Sequence, residues 1–123
     1  MVESNTNTIG KEGEDVAKKY LESKGYTIVE RNYKTKRAEI DIIARHKNEL
    51  IFVEVRTKHH EQFGTPEETI DYQKRMKLQR NAAAFVHRVK YNGSYRIDAV
   101  CLVIDREKGL QRIDHYENII TET

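Results

Sequence analysis

Two apolar runs, Ala38-Glu39-Ile40-Asp41-Ile42-Ile43-Ala44 and Leu50-Ile51-Phe52-Val53-Glu54-Val55-Arg56, decide how this chain folds. Both are strand-length, rich in β-branched residues and joined by a short polar link, which predicts a β-hairpin. A tight turn at His46 to Glu49 sets the register, placing Asp41 opposite Glu54 and Glu39 opposite Arg56. Each run thus carries a carboxylate where a buried strand should be apolar, and the two carboxylates share one face. Directly opposed residues hold their Cβ atoms about 4.5 to 5.5 Å apart. Both carboxylates can therefore reach one hard cation, with Mg²⁺–oxygen distances of about 2.0 to 2.1 Å. Without a cation they repel each other.

Upstream of the hairpin, Val16, Ala17, Tyr20 and Leu21 form one face of a helix expected from about Gly10 to Lys24 and ended by Gly25. Gly10 and Gly13 lie beside that face. Without side chains they would let the helix approach a sheet closely, despite costing about 1 kcal/mol each in a helix interior. Tyr26 to Tyr33 reads as a strand that leads through Lys34-Thr35-Lys36-Arg37 into the hairpin. Downstream, Thr65-Pro66-Glu67-Glu68 predicts the start of a second helix, with Thr65 as cap, Pro66 in the first turn and Glu68 completing a capping box. Ile70, Leu78, Ala82, Phe85 and Val89 form its apolar stripe, and Lys74 falls inside that stripe. Asn92-Gly93 marks a turn. Arg96 to Ile104 reads as a largely buried strand with a polar start at Arg96 and Asp98, and a last strand follows Gly109. The order αβββαβ(β), with helices on both faces, predicts a mixed-sheet α/β sandwich forming one domain over residues 1–123, with residues 1–8 as a flexible lead.

A chain of 123 residues can bury a core without disulfide or zinc staples. Charged residues make up 34% of it, but the apolar residues are gathered in strand-length runs, so a folded chain is expected. The lone Cys101 excludes an intrachain disulfide and a thiolate metal cluster and fits a reducing, cytoplasmic setting. No run approaches the roughly 18 apolar residues of a membrane span, and Met1 to Thr8 lack the apolar core of a signal peptide. The net charge of +2 does not by itself call for a polyanion. Basic residues nonetheless cluster at Lys34 to Arg37, Arg56 to His60 and Lys74 to Arg80, either as solvated surface or as contacts to nucleic acid. The five histidines are scattered apart from His59-His60, so zinc is not expected. A Walker loop, a dinucleotide glycine motif and a nucleophile elbow are all missing.

Three readings of the carboxylates compete, because a charge buried on a central strand costs several kcal/mol unless it finds a cation, an arginine or a proton. In the first, Arg56 and Arg37 neutralise Glu39, Asp41 and Glu54 in a salt-bridged cluster with no chemistry. In the second, Asp41 and Glu54 hold Mg²⁺ or Mn²⁺, hard ions that prefer carboxylate oxygens and keep waters for substrate phosphates. The third is a carboxylic acid of raised pKa acting alone. Glu14, one residue after Gly13, borders the first helix's apolar face and can add a third carboxylate or simply face solvent. Lys74 is the more specific signal, since a lysine on an inward stripe ordinarily snorkels outward unless a phosphate or carboxylate awaits it.

The motifs Gly10-x-x-Gly13-Glu14-x-x-Ala17, Glu39-Ile40-Asp41-Ile42-Ile43-Ala44 and Phe52-Val53-Glu54-Val55-Arg56, followed by Phe63-Gly64-x-Pro66, Lys74 and Arg96-Ile97-Asp98, resemble the YraN family of uncharacterised bacterial proteins over nearly the whole chain. That family is similar in its core to PD-(D/E)XK nucleases, the restriction-endonuclease-like fold shared with Holliday-junction resolvases. The resemblance implies Asp41 and Glu54 as Mg²⁺ ligands, with Mn²⁺ as substitute, and Glu14 as a helix-borne accessory acid. It puts Arg56 at the motif's lysine position and Lys74 at a basic position of the second helix. Ala38 replaces the glycine that commonly precedes Glu-Ile-Asp. Arg56 is the weightier departure, because arginine cannot accept a proton from an attacking water, although YraN proteins often carry it there.

The function expected is a Mg²⁺-dependent endonuclease acting on DNA more than RNA, on branched or otherwise structured substrates. Glu14, Asp41, Glu54, Arg56 and Lys74 would be its catalytic group, and Lys34, Lys36, Arg37, Lys58 and Lys77 its nucleic-acid contacts. A homodimer would suit two-strand cleavage. The alternative is a nucleic-acid-binding protein that uses the fold without cleaving.

Overall fold

The computed structural model describes residues 5–120, with side chains from residue 10 onward. Its elements run α1 (Asn5–Ser23), β1 (Thr27–Lys34), β2 (Glu39–His46), β3 (Glu49–Lys58), a 3₁₀ turn (Glu67–Thr69), α2 (Tyr72–Val89), β4 (Tyr95–Asp105) and β5 (Gly109–Tyr116). The strands make one mixed sheet in the order β1-β2-β3-β4-β5, antiparallel except for the parallel β3–β4 pair. The α/β class and the order αβββαβ(β), consistent with a restriction-endonuclease-like arrangement, are those expected from sequence. α2 carries the crossover between the parallel strands, a connection too long for a hairpin.

Each face of the sheet buries its own cluster. Ala17 and Leu21 of α1 pack with Ile42, Ile51, Val53, Val100 and Leu102, while Leu78, Ala82 and Phe85 of α2 pack with Ile43, Leu50, Phe52 and Ile97. The β2–β3 register is the expected one from His46 opposite Glu49 to Ile42 opposite Val53. α1 comes close to β3 through Gly13, where a Cβ would meet Thr57 Oγ1 at 1.9 Å; Gly10, by contrast, has open space beside it. Gly25 ends α1 at φ +90°, a conformation that favours glycine.

Several boundaries differ from the sequence reading. α1 begins at Asn5 rather than about Gly10, so residues 5–8 of the expected flexible lead are helical, and residues 1–4 lie outside the described residues. The Thr65 capping box closes only the 3₁₀ turn, with Thr65 Oγ1 accepting from Glu68 N–H at 3.2 Å. Ile70 then leaves helical space at φ −100°, ψ 68°, and Asp71 starts α2 by accepting from Lys74 N–H. Two caps compete within seven residues, and the long helix follows the second. Ile70 consequently lies outside α2, and Val89 is exposed; Asn81 joins the buried side of the helix instead.

The polar start expected for β4 is instead a sealed network. The Asp98 side chain is fully buried and accepts from Arg96 Nε, from the Asn118 backbone N–H and, at 2.8 Å, pairs with His115 Nε2. Arg96 also donates to Tyr26 Oη and to Glu49. Burial alone would push the Asp98 pKa up, but the hydrogen bonds from His115, Arg96 and Asn118 outweigh it and hold the carboxyl below its ordinary value.

Candidate active site

The β2–β3 ladder stops at Ile42 opposite Val53, and the next position on each strand is a carboxylate, Asp41 and Glu54. There Asp41 Oδ2 takes the Val55 N–H at 2.9 Å, so a side chain replaces a backbone partner and the two strands part. β1 deforms beside them. Arg31 turns to Glu14 and Asp15 of α1, whereas Tyr33, two residues on, packs on Phe85 of α2. Between them Asn32 sits at φ +52°, a left-handed conformation that asparagine tolerates, and its side-chain amide lowers the Glu14 pKa in part.

The opening is a cleft of about 380 Å³ between the middle of α1, the first half of α2 and the end of β3. Glu14, Glu39, Asp41 and Glu54 line it, as do Arg56, Lys58, Lys74 and Lys77. All five residues assigned by resemblance to catalysis therefore border one cavity, together with Lys58 and Lys77 from the expected nucleic-acid contacts. Lys34 pairs with Glu39 at 3.6 Å on the surface, Lys36 is exposed and outside the cleft, and Arg37 lines a neighbouring groove.

Glu54 is the centre of the charge arrangement. Its side chain is 7% exposed, and its Oε2 lies 2.9 Å from Arg56 Nε and 3.3 Å from Lys74 Nζ. The Arg56 N–H is not aimed at that oxygen, so this buried nitrogen has proximity without a hydrogen bond. Lys74 is delivered by the first turn of α2, whose Asp71 cap fixes its backbone. Burial, then the charge of Asp41, pushes the Glu54 pKa up to about 7, although Lys74 and Arg56 pull it down. The Glu14 carboxyl is raised for the same two reasons, and Arg31 and Asn32 offset part of the rise. Carboxylates crowded and half desolvated in this way hold protons or a cation more readily than free ones.

The salt-bridged arrangement weighed from sequence is present only in part. Arg56 neutralises Glu54 with help from Lys74, and among the described residues Arg37 forms no ion pair with Glu39, Asp41 or Glu54. The donor set suits a hard metal: the cleft offers carboxylates and no His or Cys. Among the described residues no three His, Cys, Asp or Glu side chains form a closed metal cage. Mg²⁺ does not need one, since it binds through one or two carboxylates and retains waters, and Asp41 with Glu54 meets that requirement. In the present arrangement Lys74 Nζ and Arg56 Nε stand beside Glu54 Oε2, where a cation would otherwise sit.

Two residues, one lining the cleft and one beside it on β1, escaped the sequence reading. Asn81 lines it and donates Nδ2–H to the Glu39 carbonyl at 2.9 Å, tying α2 to the edge of β2. Its signal was a polar residue on the apolar stripe, three residues beyond Leu78. Asn32 signalled itself only as an asparagine inside a strand, where that residue is disfavoured.

Comparison with known proteins adds a family. A model described as "Uncharacterised protein family UPF0102" matches residues 13–102, a span that holds Glu14, Asp41, Glu54, Arg56 and Lys74. A UPF0102 protein of Caldanaerobacter subterraneus subsp. tengcongensis is 37% identical over 120 residues, covering 96% of this chain and 98% of the relative. One from Moorella thermoacetica is 40% identical over 106 residues, covering 85% and 88%. Another, from Alkaliphilus metalliredigens, is 37% identical over 111 residues, covering 89% and 97%.

Proposed function

Because the chain belongs to the UPF0102 (YraN) family, which is described as uncharacterised, membership supplies no activity, and we propose from the cleft that this protein is a Mg²⁺-dependent endonuclease acting on DNA. One observation carries the reading: the buried Glu54 and the half-buried Asp41 and Glu14 share a cavity with Lys74 and Arg56, so the same cleft offers oxygen ligands for a cation and cations for a phosphate.

Asp41 and Glu54 would hold the ion, with Mn²⁺ able to substitute. Bound there, Mg²⁺ supplies polarisation of a phosphoryl oxygen and a lowered pKa for a coordinated water. Asp41 is held for this task by the Val55 N–H, and Glu54 by a rigid central strand. Lys74 and Arg56, released from Glu54, turn to the phosphate and stabilise the charge that grows on phosphorus as water attacks in line and the leaving oxygen departs. Arg56 stays protonated throughout and cannot serve as base. Glu14, whose carboxyl binds a proton more tightly than a free glutamate, is suited to receive the water's proton. The proposed setting is the cytoplasm, where cellular DNA is at hand, and a homodimer would bring two such clefts to two strands.

A second reading, nucleic-acid binding without cleavage, is favoured by one feature: Glu54 already has two cationic partners. The deciding experiment incubates the protein with single-stranded, duplex and branched DNA in Mg²⁺, Mn²⁺ or EDTA. Nicking in either metal, absent in EDTA and lost in Asp41→Asn and Glu54→Gln, is the expected result. Cleavage by Glu54→Gln at the wild-type rate would remove the proposed mechanism. Salt-sensitive binding with no product on any substrate would establish the second reading.

A further inference from the structure

The carboxylate cleft ends on α2 at Lys77 and Asn81, and a second concavity begins beside them. This groove, of about 740 Å³, runs between α2 and the link from β1 to β2. Its rim is basic: Arg37 stands on the link, and Arg80, His87 and Arg88 stand on α2. Its floor is apolar, made by Ala38, Ala84 and the Tyr33 ring. Arg88 is fixed at the edge by donating to Tyr33 Oη at 2.9 Å. Among the described residues no carboxylate lines the groove. Arg37, Arg80 and Arg88 likewise form no ion pairs, whereas Arg31, Arg56, Arg96 and Arg112 all do.

Lys77, Arg80, Ala84 and Arg88 recur at spacings of three and four residues and so share one side of α2, which joins the groove to the cleft. At about 1.5 Å per residue, Lys74 to Arg88 covers about 21 Å, the length of roughly six stacked nucleotides at about 3.4 Å each. Uncompensated cations call for a polyanion. The floor decides which kind. A closed duplex presents phosphates to a rim but keeps its bases stacked inside, leaving apolar surface below uncovered. An unpaired strand can lay bases and sugars on that surface while its phosphates meet the rim, and guanidinium planes stack on exposed bases.

We propose that this groove holds an unpaired strand of DNA, so that the preferred ligand is a duplex with a single-stranded arm next to a junction. The inference rests on the nuclease reading only in placing the scissile phosphate in the adjoining cleft.

The test is fluorescence anisotropy in EDTA, comparing a blunt duplex with the same duplex carrying a ten-nucleotide arm. Wild type should bind the armed DNA about tenfold more tightly, the scale expected for one or two stacked bases. Arg80→Gln/Ala83→Glu, which alters two exposed positions, should weaken binding of both DNAs through the lost charge but erase the preference, so that armed and blunt duplex bind within about twofold of each other. Arg37→Gln, on the opposite wall, should weaken arm binding in the same direction. Circular dichroism checks that the variants remain folded. A wild type without arm preference, or a preference surviving in both variants, overturns the proposal. Metal plays no part in this measurement, so an arm preference without metal uptake or cleavage would sink the nuclease reading alone, and cleavage without arm preference would sink this one alone.

Discussion

Replacing Glu54 with glutamine separates a cleft poised for a cation from an ordinary salt-bridged cluster. In the metal-free fold burial and the Asp41 charge push the Glu54 pKa from 4.5 up to about 7. A carboxyl with a raised folded-state pKa keeps its proton in the fold after the unfolded chain has lost it, so the unfolded state binds fewer protons between these values and stability falls as pH rises. The contribution is fully present below 4.5 and is lost as pH climbs through about 7. At about 1.4 kcal/mol per unit the whole loss is about 3 kcal/mol, most of it between pH 5 and pH 8. Glutamine does not ionise. Urea unfolding in EDTA should therefore show Glu54→Gln gaining about 2 to 3 kcal/mol on wild type between pH 5 and pH 8. Effects of the substitution that do not depend on pH drop out of that difference. A gap that is flat, or that shrinks as pH rises, would show that Lys74 and Arg56 outweigh burial, and the structural salt bridge would replace the cation site.

Mg²⁺ at about one hundred times its Kd should stabilise wild type by about 2.7 kcal/mol, seen as a rise in Tm by scanning calorimetry; Asp41→Asn should show no rise, and an equal rise in the variant would place the metal elsewhere. Gly13→Ala would ordinarily gain up to about 1 kcal/mol in a helix, but the new Cβ meets Thr57 Oγ1 at 1.9 Å, so a net loss of about 1 to 3 kcal/mol is expected from urea titration. Thr57→Ala in the same chain should recover part of it. Asp98→Ala leaves Arg96 and His115 without their buried partner and should cost about 3 to 5 kcal/mol. Because the Asp98 pKa is lowered in the fold, its stabilisation is present above its unfolded value and is lost as pH falls through the folded one. The wild-type advantage over Asp98→Asn should accordingly shrink in acid, and a gap independent of pH would contradict the ion pair.

The hairpin and its carboxylates were legible because strand patterning is binary. Asp41 and Glu54 interrupt β-branched runs, and a short polar link leaves one register that keeps both apolar faces buried. Lys74 was legible for the same reason, as a cation inside a helical stripe. The start of α2 was not, because Thr65 and Asp71 both carry capping chemistry and local rules do not rank them. The choice depends on Ile70, which packs against the core beyond the 3₁₀ turn. Asp98 looked like a polar strand end because its partners, Arg96, His115 and Asn118, span β4, β5 and the segment after it.

By itself the sequence determined the element order, the hairpin register and the residue types available to the cleft, since these follow from periodicity and turn chemistry acting over a few residues. Tertiary structure alone decided that Glu14, Glu54 and Lys74 meet at one opening, that Asn32 turns β1 from one face to the other, and that a basic groove without carboxylates adjoins the cleft. Those outcomes depend on where α1 and α2 settle on opposite faces of the sheet. That placement is set by the close approach at Gly13 and by the packing of Leu78, Ala82 and Phe85, contacts between residues far apart in the chain whose distances no local pattern encodes.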